Sequence, residues 1–265
     1  MKYKLVALDL DGTLLNNKNT ISEYTSSILN KLDNLGIKIV IATGRSYSSL
    51  KPKIKKLKLE HPVVCYNGAM IRNGKNDEIL YNSTIPVDIT KELIELSRQK
   101  DLHFQGFIDG EFHYEKESEY SEFYKNLSGL PGKIVDFDTL PNPKMTKSMF
   151  ISEPKRLKEI EGEIRSKYSD RAFIAYSKPT FLEIMNITAS KSKALDKLVL
   201  EYGFTSDDVI AFGDGPNDED MLSYAGKGVV MVNGYENLKS KFEVSEYTND
   251  EDGVAKYLDK LINEN

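Results

Sequence analysis

The chain opens on a short apolar run, Leu5–Leu8, that stops at two aspartates, Asp9 and Asp11, with one leucine between them. A continuous apolar run of this length predicts a strand buried on both faces of a parallel sheet. Ile28, Leu32 and Leu35 then recur at helical spacing, and Gly36 marks the stop. Two further β-branched runs follow, Ile37–Arg45 and Pro62–Ala69. Strand, helix, strand, helix, strand is the pattern of a doubly wound α/β core.

The rhythm changes near Tyr81. Ile89, Leu93 and Leu96 predict one more helix, and then come short, aromatic-rich, strand-like pieces: "HFQGFIDGEFHYE", "KSMFIS", "AFIAYS" and "TFLEIMN". In Phe107–Tyr114 an Asp-Gly pair sits between alternating apolar positions, a strong hairpin signal. Helical patterns at 118–127 and 155–168 lie between the strands. The α/β rhythm returns with Ala194, Leu195, Leu198 and Val199 on one helix face, then "DVIAFGDG", "GVVMV" and a closing helix "GVAKYLDKLI". Residues 1–82 and 187–265 therefore read as one discontinuous core, and 83–186 as an inserted α+β unit.

Composition narrows the picture only where it excludes something. With 265 residues, 40 % hydrophobic and 29 % charged, the chain is long enough for two domains with real cores. The net charge of −5 and the lack of a dense basic block argue against a nucleic-acid surface. The basic run Lys51–Lys58 reads as the wet face of a helix. The single cysteine, Cys65, allows no intrachain disulfide and reads as an inert thiol inside a strand. The first residues are not expected to form a signal peptide, because their apolar run is short and interrupted by aspartates, and no window approaches the roughly 20 apolar residues of a membrane span. A cytoplasmic protein without membrane or nucleic-acid partners is expected, either monomeric or weakly homo-oligomeric.

Ligands of open α/β sheets bind at the carboxyl ends of the strands. Those ends carry Asp9 and Asp11, then Thr43-Gly44-Arg45, then Asn67-Gly68, then Asp214, Asn217 and Asp218. Aspartates converging on one edge raise one another's pKa unless a counter-charge is present. Mg²⁺ takes such oxygen ligands together with substrate phosphate. Two neighbouring aspartates can also divide labour, one as nucleophile and the other as acid and base.

The ordered set of motifs resembles the haloacid dehalogenase superfamily. "DLDGTL" (Asp9–Leu14), "ATGR" (Ala42–Arg45), "SKSKAL" (Ser190–Leu195) and "GDGPNDEDML" (Gly213–Leu222) are similar to its four signatures, in order. The place of the insert, with "YNGAMI" and "EDGVAKYL", resembles the Cof-like sugar-phosphatase subgroup. That resemblance implies a Rossmann-like, doubly wound parallel sheet core with an inserted α+β cap domain. It implies a Mg²⁺-dependent phosphatase acting on a small-molecule phosphate ester, with the cap excluding water and selecting the leaving group.

Residue by residue, the resemblance implies Asp9 as nucleophile and metal ligand. Asp11 would be general acid and base, its backbone carbonyl also on the metal. Leu10, Thr43, Gly44, Lys191 and Asn217 would hold the phosphoryl group. Asp214 would be a metal ligand, and Asp218 would orient the metal site. Asn67 and Gly68 would border the substrate pocket. Ser192 stands where the subgroup has glycine, so Lys193 rivals Lys191 for the phosphate role; Lys191 is preferred. Arg45 is expected only to pair with carboxylates and stays outside the catalytic set. A phosphomutase and a non-catalytic regulatory protein are the alternative readings.

Overall fold

The structure, a computed structural model, describes residues 2–57 and 60–263. Lys58, where the basic run ends, lies outside the described residues. In chain order the first elements are β1 (Leu5–Leu8), α1 (Glu23–Asn34), β2 (Lys38–Ala42), α2 (Tyr47–Ile54), β3 (Val63–Cys65), β4 (Met70–Arg72) and β5 (Ile79–Asn82). Next come α3 (Val87–Gln99), β6 (His103–Ile108), β7 (Glu111–Tyr114), α4 (Glu119–Ser128), β8 (Lys133–Ile134), β9 (Lys147–Ile151), α5 (Pro154–Tyr168), β10 (Ala172–Lys178) and β11 (Phe181–Asn186). The chain closes with α6 (Lys191–Glu201), β12 (Val209–Gly213), α7 (Glu219–Tyr224), β13 (Lys227–Val230), α8 (Glu236–Lys239), β14 (Glu243–Val244) and α9 (Gly253–Asn263). It divides into two compact units, 1–81 with 190–265, and 82–189.

The first unit is built on one sheet in the order β14-β13-β12-β1-β2-β3-β4-β5. Strands β14 to β3 run parallel, and β4 turns back antiparallel on β3. Leu5, Ala7, Val40, Ala42, Val64, Val209 and Ala211 pack with α6 and α7 through Leu195, Leu198, Val199, Met221 and Leu222. The alternate positions Val6, Leu8, Ile39, Ile41, Ile210 and Phe212 are buried as well. Phe212 meets the Tyr257 ring of α9 edge-on at 5.3 Å. Both faces are covered, so the strands read as unbroken apolar runs. Register fixes the functional edge. Leu8 pairs with Phe212 on one side and Ile41 on the other, so the chains leaving β1, β12 and β2 emerge level with one another.

The second unit has a sheet ordered β10-β11-β9-β6-β7-β8, antiparallel except for the short β7–β8 pair. The hairpin expected at Asp109-Gly110 is present. Both residues have positive φ, 52° and 93°, the two left-handed positions that match strand twist in a tight turn. Helices α3 and α5 cover one face, with Ile89, Leu93, Leu157, Ile160 and Ile164 on Phe104, Phe150, Leu182 and Ile184. On α4, Tyr124 packs against Phe107, Phe112 and Phe181. Lys147 and Glu183 form a buried ion pair at 3.0 Å, and Ser177 donates to the same carboxylate oxygen.

Phe150 is fully buried in the second unit, with the Phe104 ring 5.1 Å away. Phe150→Ala is expected to cost about 3–5 kcal/mol through lost transfer energy and the cavity left behind. Urea unfolding checks this, and a cost below about 1 kcal/mol would mean that this ring is not central to the core.

Candidate active site

Asp9 is the first residue beyond β1, and its N–H donates to the Phe212 carbonyl of β12 at 3.0 Å. The residue is only 4 % exposed. Lys191 begins α6, whose N-cap Ser190 accepts from the Lys193 N–H. That start aims the Lys191 ammonium inward, where it donates to Asp9 Oδ1 and to Asp218 Oδ1, each at 2.6 Å. Lys193 points out to solvent.

Asp218 is buried and fully engaged. Its Oδ1 takes Lys191, and its Oδ2 accepts the N–H groups of Asp214 and Gly215 at 3.0 and 2.9 Å. It therefore shapes the turn that carries Asp214. Thr13, to which sequence reasoning assigned no role, donates to Asp214 Oδ1 at 3.1 Å. Gly12 has φ +80°, and a Cβ there would lie 2.4 Å from Asp214 Oδ2, so only glycine lets the two strand ends come this close.

Carboxylate oxygens of Asp9, Asp214 and Asp218 lie within 4.8 Å of one another. Among the described residues no hydrogen bond reaches Oδ2 of Asp9 or of Asp214. An all-oxygen donor set with two such atoms suits a hard divalent cation such as Mg²⁺. The charges agree. Burial, and then the charge of Asp218, push the Asp9 carboxyl well above its ordinary value against the opposing pull of Lys191. Burial and Asp218 push Asp214 up to about 6. Burial alone would lower the Lys191 ammonium, but Asp9 and Asp218 together outweigh it and hold it charged.

Asp11 stands apart from this cluster. Its carboxylate is 48 % exposed and is gripped by Arg45, which donates Nε to Oδ2 at 2.7 Å and an Nη to Oδ1 at 2.6 Å. Leu10 is buried, and its carbonyl already accepts the Leu14 and Leu15 N–H groups, so what it can offer a ligand is its own N–H. Thr43 is buried beyond β2, with its hydroxyl accepting the Arg45 N–H at 3.1 Å. Asn67 has φ 51°, donates its N–H to the Thr43 carbonyl, and lies against Gly44. Its Oδ1 accepts from Asn217 Nδ2 at 3.3 Å. Gly68, at φ +99°, packs so tightly on Ser190 that a Cβ would lie 2.0 Å from the Ser190 carbonyl oxygen. The Ser192 hydroxyl lies 2.8 Å from the Ser190 hydroxyl, and the Ser190 hydroxyl and the Ser192 N–H both donate to Asp220 Oδ2, a partner that sequence reasoning did not identify.

The haloacid dehalogenase-like hydrolase family model matches residues 6–258. The Bacillus subtilis protein 5-amino-6-(5-phospho-D-ribitylamino)uracil phosphatase YitU is 31 % identical over 265 residues, covering 97 % of each chain. A haloacid dehalogenase-like hydrolase from Bacteroides thetaiotaomicron superposes with a TM-score of 0.90 at 30 % identity, covering 98 % of this chain and 99 % of that one. BT1666 from the same organism, described among phosphatases of that superfamily, gives 0.81 at 25 % identity over 97 % and 94 %.

The raised carboxyls make a stability test with a definite sign. A group whose folded pKa lies above its unfolded value binds its proton more tightly when folded, so stability falls as pH rises between the two. For Asp214 that window runs from its ordinary 3.8 to about 6, and Asp9 acts in the same direction. In EDTA the loss of melting temperature from pH 5 to pH 7 is expected to be smaller in Asp214→Asn than in the wild-type chain, a comparison in which the opposite contribution of the partly buried His103 and His113 cancels. Added Mg²⁺ is expected to raise the melting temperature more at pH 7 than at pH 5. Equal Mg²⁺ shifts at both pH values would count against these aspartates as the cation site.

Proposed function

The chain belongs to the haloacid dehalogenase-like hydrolase family, and on that premise we propose that it is a Mg²⁺-dependent phosphatase of small phosphomonoesters, working through an aspartyl-phosphate on Asp9. The observation that carries this reading is the buried Asp9–Lys191–Asp218 bridge, with Asp214 beside it. A nucleophilic carboxylate and a fixed cation are thereby held at one strand end. Residues 1–82 and 187–265 are assigned the chemistry, and the inserted 83–186 the choice of leaving group. The ribityl phosphate in the name of the Bacillus subtilis relative supports a sugar-phosphate or related metabolite as substrate.

In the proposed first step an Asp9 carboxylate oxygen attacks phosphorus, the ester P–O bond breaks, and Asp11 gives its proton to the departing alcohol. In the second, water attacks the phosphorus and gives a proton to Asp11, and the electron pair of the broken bond returns to Asp9. Thr43, the N–H groups of Leu10 and Gly44, and the Asn217 amide hold the phosphoryl oxygens; Asn67 and Gly68 support that edge. Lys191 balances charge that builds up as the transition state forms. Asp9, Asp214 and the Asp11 carbonyl would hold Mg²⁺, which would supply electrostatic neutralisation of the charge that develops at the site. A cytoplasmic setting fits this metabolic reading. Among the described residues no helix is long and apolar enough to cross a membrane.

The deciding experiment measures phosphate release from an aryl phosphate and a panel of sugar phosphates. It is run with Mg²⁺, with EDTA, and with Asp9→Asn. Both EDTA and Asp9→Asn are expected to lower kcat by at least about 10³-fold. Undiminished turnover by Asp9→Asn would sink the nucleophile assignment.

A further inference from the structure

The loop that follows β1 is held from outside by two asparagines that the mechanism above does not use. Leu10 to Leu15 closes on itself, with the Leu14 and Leu15 N–H groups both on the Leu10 carbonyl. It carries Asp11, whose carbonyl would hold the cation, and Thr13, which donates to Asp214 Oδ1 at 3.1 Å. At the tip of the loop, Asn233 Nδ2 donates to the Gly12 carbonyl at 2.8 Å. At its end, the buried Asn249 donates Nδ2 to the Leu15 carbonyl at 2.8 Å. The two asparagines are joined to each other, since the Asn249 N–H donates to Asn233 Oδ1 at 3.0 Å. A carbonyl can only accept and a backbone N–H can only donate, so these partners allow the Asn233 amide one orientation.

The same asparagine stands on the Asp214 side of the site. Residues 231–235 are hung on the end of β12: the Met231 N–H donates to the Gly213 carbonyl and the Tyr235 N–H to the Asp214 carbonyl, each at 2.9 Å. Asn233 therefore ties the backbone of the Asp11 loop to the turn built on Asp214, across 221 positions of chain. Asn249 continues the tie, and its neighbour Asp250 accepts the Asn17 N–H and Nδ2 further along the same loop. Mg²⁺ demands near-ideal octahedral geometry with oxygens at about 2.1 Å, so ligands carried on two separate loops must be fixed relative to each other. We propose that Asn233 and Asn249 are positioning residues for the divalent cation. They touch neither the cation nor the substrate. They hold the Asp11 loop against the Asp214 turn, and that spacing sets the affinity for Mg²⁺. The identity of the ion rests on the phosphatase reading above.

Isothermal titration of Mg²⁺ into the EDTA-treated, dialysed chain tests this without turnover. Asn233→Ala and Asn249→Ala are each expected to weaken Mg²⁺ binding about 10-fold, the lower end of what losing a supporting partner costs a metal site. A merely structural role would lower the melting temperature of the metal-free variants and leave their Mg²⁺ affinity unchanged. Coupling between binding and positioning is reciprocal. In the wild-type chain Mg²⁺ is therefore expected to slow hydrogen exchange at the Tyr235 and Asn249 amides several-fold, as read by amide NMR. That measurement decides the matter alone where a variant does not fold. If the wild-type chain binds Mg²⁺ and either folded variant binds it as tightly, or if Mg²⁺ leaves the exchange of both amides unmoved, the inference falls and the phosphatase reading stands. If the wild-type chain binds no Mg²⁺, the Mg²⁺-dependent reading fails first and the inference falls with it.

Discussion

Lys191 is the constraint around which the first unit is arranged. An ammonium with no side-chain exposure lies between two carboxylates that are themselves 6 % and 1 % exposed. Taking such charges out of water costs several kcal/mol per ion, and only close geometry with every polar atom engaged repays it. The surroundings meet that demand. Asp218 uses its second oxygen on two backbone N–H groups, so its charge is satisfied on both sides. The helix start at Ser190 and the turn at 214–218 must therefore form together with the end of β1. Three segments far apart in the chain share one electrostatic unit.

That unit is not electrically complete. Asp9, Asp214 and Asp218 bring three negative charges to one place, and Lys191 offsets one. Burial first, and then the charge of Asp218, push the Asp9 and Asp214 carboxyls upward. A divalent cation would remove the imbalance, and such a site needs backbone that can crowd in around it. Gly12 meets this need beside Asp214, and Gly68 does so against the start of α6. Side chains at either place would push apart the strand ends that carry the acids.

Much of this was legible in the chain because it depends on local pattern. Unbroken apolar runs marked the strands covered on both faces, and Asp109-Gly110 marked the hairpin through the turn geometry that it favours. The short strands β4, β8 and β14 were not legible, since two or three residues carry no period. At the site, motif spacing placed the acids and Lys191 on the correct edge. It did not reveal that Lys191 also bridges to Asp218, nor which carboxylate Arg45 meets. The Arg45–Asp11 fork joins residues 34 positions apart, and Asp220 reaches back 30 positions to Ser190. Such pairings are set by strand register and helix rotation, which residue types alone do not encode. Thr13 was in plain view within the first motif, but its partner Asp214 lies 201 residues away.

The choice of cation at each acid follows from what that acid must do. In the proposed mechanism phosphate meets the Asp9 nucleophile at one point where charge changes, and the partner there is buried, compact and shared. A lysine ammonium is a point charge with three donors and suits that place. The Asp11 carboxylate lies half in solvent, where a single hydrogen bond would leave it free to rotate. A planar guanidinium fixes both oxygens at once and remains charged throughout. One leucine separates the two acids in the chain, but burial, partner and geometry differ at each. Two like charges can therefore end one strand without duplicating each other, the inner one buried and bridged by lysine, the outer one half in solvent and held by the arginine fork, as the proposed division between attack and proton transfer requires.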